Sequence, residues 1–237
     1  MPVPTTGAIF TIERRIGLGS IDPEGVIRLD AIAGLLQDVA TENDEGTADP
    51  DHGIWVLRRL SVVRAGRRLP RYGERVRLRT FCGGLGGRWA ERRTSIDGPE
   101  GVGIECAAIW VRVDRTGRPT PLTEHFLHVH RATAAGRTVS ARRSHSDPDA
   151  NAESRPWPLR RVDLDTMGHV NNAAHWNAVE EVLDGRRYKW AEIEFRDGLL
   201  RDPANPADLR VHEQDSSLSV WLCTDDKVRS SARVALQ

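Results

Sequence analysis

Apolar and polar positions follow two different periods along this chain. Between Arg28 and Thr47 the apolar residues recur with helical spacing and fall on one face, at Leu29, Ile32, Leu35, Leu36 and Val39. Shorter strand-like runs separated by Gly- and Pro-rich turns lie around this helix, at residues 8–18, 54–65, 75–82, 88–96 and 102–114. One strand, one long helix and then a series of antiparallel strands predict a sheet wrapped around a single helix, in the α+β class.

The second half of the chain repeats this order. A strand predicted over Trp157–Val162 leads through a polar loop to a helix predicted over Asn172–Leu183, and four further strands follow, at residues 188–196, 208–213, 218–224 and 228–236. A repeated pattern of this kind indicates a tandem duplication. We therefore predict an N-terminal unit over residues 1–131, a linker over 132–155 that is rich in Ser, Arg, Ala, Asp and Pro, and a C-terminal unit over 156–237.

The loop of the second half carries the densest chemistry in the sequence. Its ten residues contain two carboxylates, one imidazole and two side-chain amides, namely Asp163, Asp165, His169, Asn171 and Asn172. Either Asn can cap the following helix, and the N–H groups of its first turn would then face a substrate carbonyl beside His169. Gly168 lets the backbone turn. The alternative is an Asx-rich turn in which these polar groups only satisfy one another.

Composition narrows the function classes. Lys plus Arg and Asp plus Glu number 34 each, so no overall field favours nucleic acid or an anionic membrane. No long apolar run and no signal-peptide core follows Met1, which leads us to expect a cytoplasmic protein. The three cysteines, Cys82, Cys106 and Cys223, are widely spaced and form no Cys-x-x-Cys pair. We expect them to be free, buried and apolar, with no disulfide and no zinc site.

The polar loop also carries a resemblance. The run Asp-Leu-Asp-x-x-x-His-Val-Asn-Asn at 163–172 resembles the signature of the acyl-acyl carrier protein (acyl-ACP) thioesterases, a family with two hotdog units in one chain. The segments 54–63, 71–78 and 106–113 are similar to strands and a turn of that family's first domain. The resemblance implies a tandem (double) hotdog of the α+β class and hydrolysis of fatty acyl-ACP to free fatty acid and carrier protein, in fatty acid biosynthesis.

Roles for individual residues follow from the same resemblance. Asp165 and His169 match the catalytic Asp and His, while Asp163, Gly168, Asn171 and Asn172 match supporting positions of the loop. The sequence departs from the family at three places, because Met167 stands where plant-type members have Asn, and Gly198 and Leu199 stand where an acidic residue and Cys follow the next strand. Asp197, one position earlier, is the residue that would substitute for the missing acid.

In the family the N-terminal unit shapes the acyl pocket and the C-terminal unit supplies catalysis. We therefore expect the inner face of the first helix and the sheet opposite to line the pocket, with Leu36, Trp55, Trp89 and Trp110 as candidates. Ordinary core packing is the alternative for each of them. The sequence indicates no metal or other cofactor.

The expected partner is an acidic ACP that carries the acyl group on its phosphopantetheine arm. Arginine pairs such as Arg160-Arg161 are available to dock it. A homodimer is compatible with the resemblance. Two other functions stay open from the sequence: an acyl-coenzyme A thioesterase of the hotdog fold, and a catalytically silent module that binds acyl thioesters.

Overall fold

The computed structural model describes residues 1–46 and 53–237, apart from the side chains of 45 and 46. The chain divides into two units, one formed by residues 1–27 and 35–142 and the other by residues 28–34 and 143–237. The predicted end of the first helix, Thr47, lies outside the described residues.

The first unit is built on five antiparallel strands. These are β1 (Ile9–Arg15), β2 (Ile54–Arg64), β3 (Arg75–Leu85), β4 (Trp89–Asp97) and β5 (Gly103–Val113). They are hydrogen-bonded in the order β1-β3-β4-β5-β2. Buried and partly exposed positions alternate along β5, which is the pattern of a strand with one face on the core. All four predicted strands after the first helix are therefore confirmed.

Two helices accompany this sheet. The first, α1 (Leu29–Gly46), is the predicted long helix, and its initial residues 29–34 group with the second unit. The other, α2 (Glu124–Ala134), packs on β3 and was not predicted. Thr123 caps α2 by accepting a hydrogen bond from the Phe126 N–H at 3.1 Å. Three histidines interrupt its apolar face, which hid the helical period in the sequence.

The second unit repeats the architecture. Its strands are β6 (Glu153–Trp157), β7 (Tyr188–Phe195), β8 (Ala207–Gln214), β9 (Ser217–Thr224) and β10 (Lys227–Leu236), paired antiparallel in the order β7-β10-β9-β8-β6. Helix α3 (His175–Leu183) packs on β9. The α+β class with antiparallel sheets is thus confirmed.

The strand predicted over Trp157–Val162 is wrong. Strand β6 ends at Trp157, and a single 3-10 turn, Arg161–Asp163, follows. Pro158 cannot donate a ladder hydrogen bond, and Asp163 closes the turn by accepting from the backbone N–H of Arg160 at 2.7 Å. The first three residues of β6 and the last three of α2 fall inside the stretch that the sequence indicated as linker, 132–155.

The burial predicted for the cysteines is confirmed. Cys82, Cys106 and Cys223 are free and buried. Burial raises the pKa of the Cys82 and Cys223 thiols to about 11. Within the described ranges, no helix combines the length and the apolar character needed to cross a bilayer.

Candidate active site

The polar loop folds into a tight turn held by one carboxylate. The N–H of Asp165 donates to the carbonyl of His169 at 2.7 Å, and the N–H of Gly168 donates to the carbonyl of Asp165 at 3.1 Å. Asp165 Oδ1 also accepts from the N–H groups of Met167, at 2.9 Å, and His169, at 3.0 Å. Gly168 has φ +81°, which glycine adopts at little cost. Asp165 therefore builds the turn in which it lies.

The first unit contains the same turn without the chemistry. The N–H of Asp22 donates to the carbonyl of Val26 at 2.8 Å, the N–H of Gly25 donates to the carbonyl of Asp22 at 2.9 Å, and Asp22 Oδ1 accepts from the Val26 N–H at 2.7 Å. Gly25 has φ +77°. An aspartate at this position is thus required by the turn itself. The oxygen of Asp165 that remains for chemistry is Oδ2, which accepts no hydrogen bond from any described residue.

The two turns differ at the position after the glycine. The first unit has the buried Val26 there, and the second has the half-buried His169. The ring nitrogens of His169 make no hydrogen bond to a described residue. A Cβ added at Gly198 would lie 3.4 Å from His169 Cδ2 and Nε2, so the glycine leaves one side of the imidazole uncovered. The backbone carbonyl of Leu199, beside it, accepts from the Val170 N–H at 2.8 Å and so ties this segment to the turn.

Asp163 anchors the turn from the other side. Its buried carboxylate accepts from the Arg160 backbone N–H at 2.7 Å and from the Arg160 guanidinium at 2.7 Å. Its backbone carbonyl accepts from the Asn171 N–H at 2.7 Å. The ion pair raises the pKa of Arg160, because the side-chain hydrogen bond to Asp163 favours the charged guanidinium. Both oxygens of Asp163 are occupied, so its contacts are structural.

The helix after the loop begins later than the sequence indicated. Asn171 Oδ1 accepts from the Ala173 N–H at 2.8 Å, inside the loop, and α3 starts at His175 without a side-chain cap. The N–H groups of the next two residues, Trp176 and Asn177, donate to the carbonyls of residues 173 and 174. They are therefore occupied, and the expectation that first-turn N–H groups face a substrate is corrected.

The side-chain amide of Asn172 remains as a donor near the turn. Asn172 is half-buried, and its side chain makes no hydrogen bond to a described residue. An amide N–H with no protein partner, three residues after His169, can donate to a substrate oxygen.

His175 is more buried than the sequence indicated, since we expected a half-exposed helix residue. It is 3% exposed, and its Nδ1 lies 2.8 Å from Ser230 Oγ on β10. Its ring also hydrogen-bonds the backbone of Val170, directly after His169, and meets Phe195 edge-on with centroids 5.2 Å apart. Burial lowers the pKa of His175 to about 4, so it is neutral at physiological pH. Its spacing of four from Val179, on the apolar face of α3, was the missed signal.

Asp197 lies on the exposed segment after β7. The Arg196 N–H before it donates to the Arg229 carbonyl at 2.8 Å, and the carboxylate of Asp197 accepts no hydrogen bond from a described residue. The position whose side chain would contact the imidazole of His169 is Gly198, one residue later.

A second polar cluster occupies the core of this unit. One ligand atom from each of His145, Glu192 and Glu194 lies within 4.8 Å of the others. Glu194 is already engaged, since it accepts from the Ser144 N–H at 2.8 Å and the His145 N–H at 3.1 Å. His145 Nδ1 lies 3.0 Å from the carbonyl of Ser231. These bonds make the cluster a buried clamp on the segment 144–145.

The first unit contains a cavity of about 350 Å³. The second half of α1, helix α2 and the sheet all contribute to its wall, through Gln37, Ala40, Thr41, Trp55, Phe81, Ala90, Trp110, Phe126 and Val129 among others. Trp55 and Trp110 of the predicted pocket set thus line it. Leu36 and Trp89 are not among the lining residues, and the Trp89 indole N–H donates to the Val139 carbonyl at 2.8 Å.

Comparison with known protein families bears on this arrangement. The acyl-ACP thioesterase N-terminal domain matches residues 7–129, and the C-terminal domain of the same family matches residues 146–194. The chain belongs to the acyl-ACP thioesterase family. It is accordingly a thiolester hydrolase for fatty acyl-ACP, and its fold is the double hotdog.

Individual relatives are distant in sequence but alike in fold. An uncharacterized protein of Mycobacterium tuberculosis H37Rv, Rv2001, is 28% identical over 97% of this chain and 92% of its own length. The 12:0-ACP thioesterase of Umbellularia californica has a TM-score of 0.79 at 19% identity, covering 99% of each chain. An acyl-ACP thioesterase of Bacteroides thetaiotaomicron also has a TM-score of 0.79, at 14% sequence identity, and the match covers 97% of this chain and 98% of that one. At such identities the two structures show the fold alone.

Proposed function

We propose that acyl-ACP thioester hydrolysis takes place at the turn 164–170 of the second unit, with Asp165 and His169 as the reacting groups. The observation that carries this proposal is the difference between two otherwise equivalent turns. Both have the aspartate and the glycine, but only the second replaces a buried valine by a histidine whose ring nitrogens are free. A duplicated turn that gains an accessible imidazole in one copy is well suited to chemistry.

The reaction assigns one role to each free group. Asp165 Oδ2 takes a proton from water, whose oxygen adds to the thioester carbonyl carbon. The negative charge that develops on the carbonyl oxygen is stabilised by N–H donation from the His169 ring and from the Asn172 amide. The carbon–sulfur bond then breaks, the carboxylic acid leaves, and the phosphopantetheine thiolate receives the proton from Asp165. A thiolate is a good leaving group, so no separate acid is required.

At two positions where the family has an acidic residue and Cys, this chain has Gly198 and Leu199, so these positions give the reaction no acid–base assistance. Gly198 and Leu199 supply neither a carboxylate nor a thiol, and Leu199 is 1% exposed in the core. These departures leave Asp165 and His169 without a further acid or thiol from these two positions. Release of free thiol from an acyl-ACP substrate measures how far these two groups suffice.

The carrier of the acyl group, the cellular location, the pathway and the place of the acyl chain are part of the same proposal. We place the substrate on ACP rather than on coenzyme A, because exposed arginines, among them Arg161 and Arg201, lie beside the turn and suit an acidic carrier. We also assign the reaction to the cytoplasm and to fatty acid biosynthesis, and the acyl chain to the cavity of the first unit.

The duplicated turn supplies its own control for the test. In Asp165→Asn the amide oxygen still accepts the turn hydrogen bonds, but the side chain no longer takes a proton. We expect kcat on acyl-ACP to fall about a hundredfold or more. Asp22→Asn makes the same change in the equivalent turn of the first unit and should leave kcat within about twofold. His169→Ala should approach the loss of Asp165→Asn.

Three results would count against the proposal. A near-normal rate in folded Asp165→Asn removes this carboxylate from the chemistry. Equal losses in Asp165→Asn and Asp22→Asn would show that the turns act only through folding. Absence of thiol release by the wild-type chain from every acyl-ACP offered, with acyl-ACP still bound, would favour the binding module.

A further inference from the structure

A buried pair of polar side chains lies behind the turn 164–170. His175 begins α3 and Ser230 lies on β10, and they are only 3% and 2% exposed. The Nδ1 atom of His175 is 2.8 Å from Ser230 Oγ, and Phe195, the residue opposite Ser230 on β7, meets the imidazole edge-on. A polar contact that is this well shielded from water holds its two groups in one geometry.

The imidazole of His175 also holds the backbone beside His169. Its ring hydrogen-bonds the backbone of Val170, the residue directly after His169. The N–H of Val170 donates to the Leu199 carbonyl at 2.8 Å, so this backbone is held from two directions. The direction in which the His169 ring leaves the turn depends on it. Ser230, through His175, therefore ties β10 to the proposed reacting group.

The first turn of the chain has apolar residues at both histidine positions. Val26 stands at the position of His169, and Ile32, which is 0% exposed, stands six residues later, where the second copy has His175. Burying an imidazole costs desolvation that burying an isoleucine does not. Core packing alone thus requires no histidine at this place. The histidine is found in the copy that has His169, which supports a role in the reacting turn.

We propose that His175 and Ser230 are positioning residues for the thioesterase reaction, which direct the His169 imidazole toward the thioester carbonyl through the backbone of Val170. The inference rests on the proposed function in taking His169 as a reacting group. His175 and Ser230 are buried and act through this backbone rather than on the substrate. They keep one orientation of the His169 ring, so that its N–H is already directed at the carbonyl oxygen when charge develops there.

Ser230→Ala tests the pair with the smallest change, since it removes only the hydroxyl. We expect kcat on acyl-ACP to fall about tenfold and KM to stay within about twofold, because a misdirected His169 weakens stabilisation of the transition state and leaves acyl binding unchanged. His175→Phe keeps a ring against Phe195 but removes both hydrogen bonds, and it should lower kcat further. Circular dichroism and thermal unfolding establish that each variant is folded.

Ser231→Ala is the matched control. Ser231 follows Ser230 on β10, so its side chain points to the other face of the sheet, and its Oγ lies 3.1 Å from Nδ1 of the buried His145. The variant therefore also removes a buried hydroxyl that contacts a buried imidazole, and it should keep the wild-type kcat. A normal kcat in folded Ser230→Ala and His175→Phe, or equal losses of kcat in Ser230→Ala and Ser231→Ala, would overturn the proposal.

The ring signal of His169 in NMR spectra provides a measurement that needs no hydrolysis. In protein with 13C-labelled histidine, this signal is identified by its loss in His169→Ala. We expect it to shift and broaden in Ser230→Ala, as the ring exchanges among orientations, and to stay unchanged in Ser231→Ala.

This signal separates the positioning proposal from the proposed function. If Asp165→Asn keeps a normal rate but the His169 signal responds to Ser230→Ala, the hydrolysis site fails and the coupling of Ser230 to His169 stands. If Asp165→Asn loses activity but Ser230→Ala changes neither the His169 signal nor kcat, the positioning proposal fails and the hydrolysis site stands.

Discussion

Asp22 and Asp165 show how little a single side chain reveals about chemistry. Each closes a seven-residue turn, 21–27 or 164–170, through its own Oδ1 and a glycine with positive φ. The reactivity proposed for the second turn depends on its neighbours, namely His169 in place of Val26 and the open position at Gly198. The aspartate and glycine therefore predict the turn. The residue four positions after the aspartate, Val26 or His169, indicates whether the turn is a candidate active site.

Gly198 offers a direct test of what the site lacks. A Cβ there would lie 3.4 Å from the His169 ring, which is ordinary van der Waals contact, and the φ of Gly198 is not positive. We expect Gly198→Glu, which restores an acid beside the imidazole, to raise kcat on acyl-ACP by roughly tenfold through acid–base assistance. Gly198→Gln has the same size without the charge and should give no gain. Equal rates in the two variants would show that a carboxylic acid at this position does not assist the reaction.

His175 predicts a pH dependence of stability. Its pKa of about 4 in the folded chain lies below the ordinary value of 6.5, so the unfolded chain binds more protons between these values. Its contribution is complete above pH 6.5 and is lost as the pH falls toward 4, by up to about 3 kcal/mol of unfolding free energy.

Urea unfolding of the wild type and of His175→Phe, from pH 7 to pH 4.5, measures this loss. The wild-type free energy should fall more steeply than that of the variant, which has no group to protonate at this place. If the free energy of unfolding falls equally with pH in both proteins, the pKa of His175 is not lowered by folding.

At the scale of elements, most strands could be predicted from the sequence because strand-like runs of apolar and β-branched residues are separated by Gly- and Pro-rich turns. The two elements that failed lacked such a pattern. Helix α2 carries His125, His128 and His130 across its surface, and the strand expected at 157–162 contains Pro158 and ends in a 3-10 turn fixed by Asp163. The turn chemistry was visible in the motif, whereas only two of the four residues expected at the pocket, Trp55 and Trp110, line the cavity. Its wall joins α1, α2 and four strands that are far apart in the chain.

Two glycines in different elements should respond oppositely to the same substitution. Gly168 has φ +81° with no neighbour within 4 Å of an added Cβ, so Gly168→Ala meets only backbone strain and should destabilise the chain by about 1 kcal/mol. Gly34 lies inside α1, also with open space around an added Cβ, and Gly34→Ala should stabilise by about 0.5–1 kcal/mol. Chemical denaturation at pH 7 measures both. A lower free energy of unfolding in Gly34→Ala would show that packing around α1 does not tolerate the added methyl group.

On the scale of the whole molecule, the balance of 34 basic and 34 acidic residues means that the chain exerts little long-range attraction on an acidic carrier. The proposed docking of ACP then depends on a local surface. In the second unit the exposed large apolar side chains are Val162, Met167 and Leu200, all on the turn or the segments flanking it. Together with the exposed Arg161 and Arg201 they form an apolar and basic surface around the site.

A carrier docked on this surface predicts a local and modest salt effect. Exposed charges are screened beyond about 8 Å at physiological ionic strength, so kcat/KM on acyl-ACP should fall several-fold as salt rises from about 0.05 to 0.3 M. The same acyl group on pantetheine, which lacks the acidic protein, should show almost no slope. Arg161→Gln should flatten the slope for acyl-ACP, whereas Arg115→Gln, an exposed arginine on a turn of the first unit, should leave it unchanged. Equal slopes for the two substrates in the wild type would show that the enzyme recognises the pantetheine arm and the acyl chain without its arginines contacting the carrier.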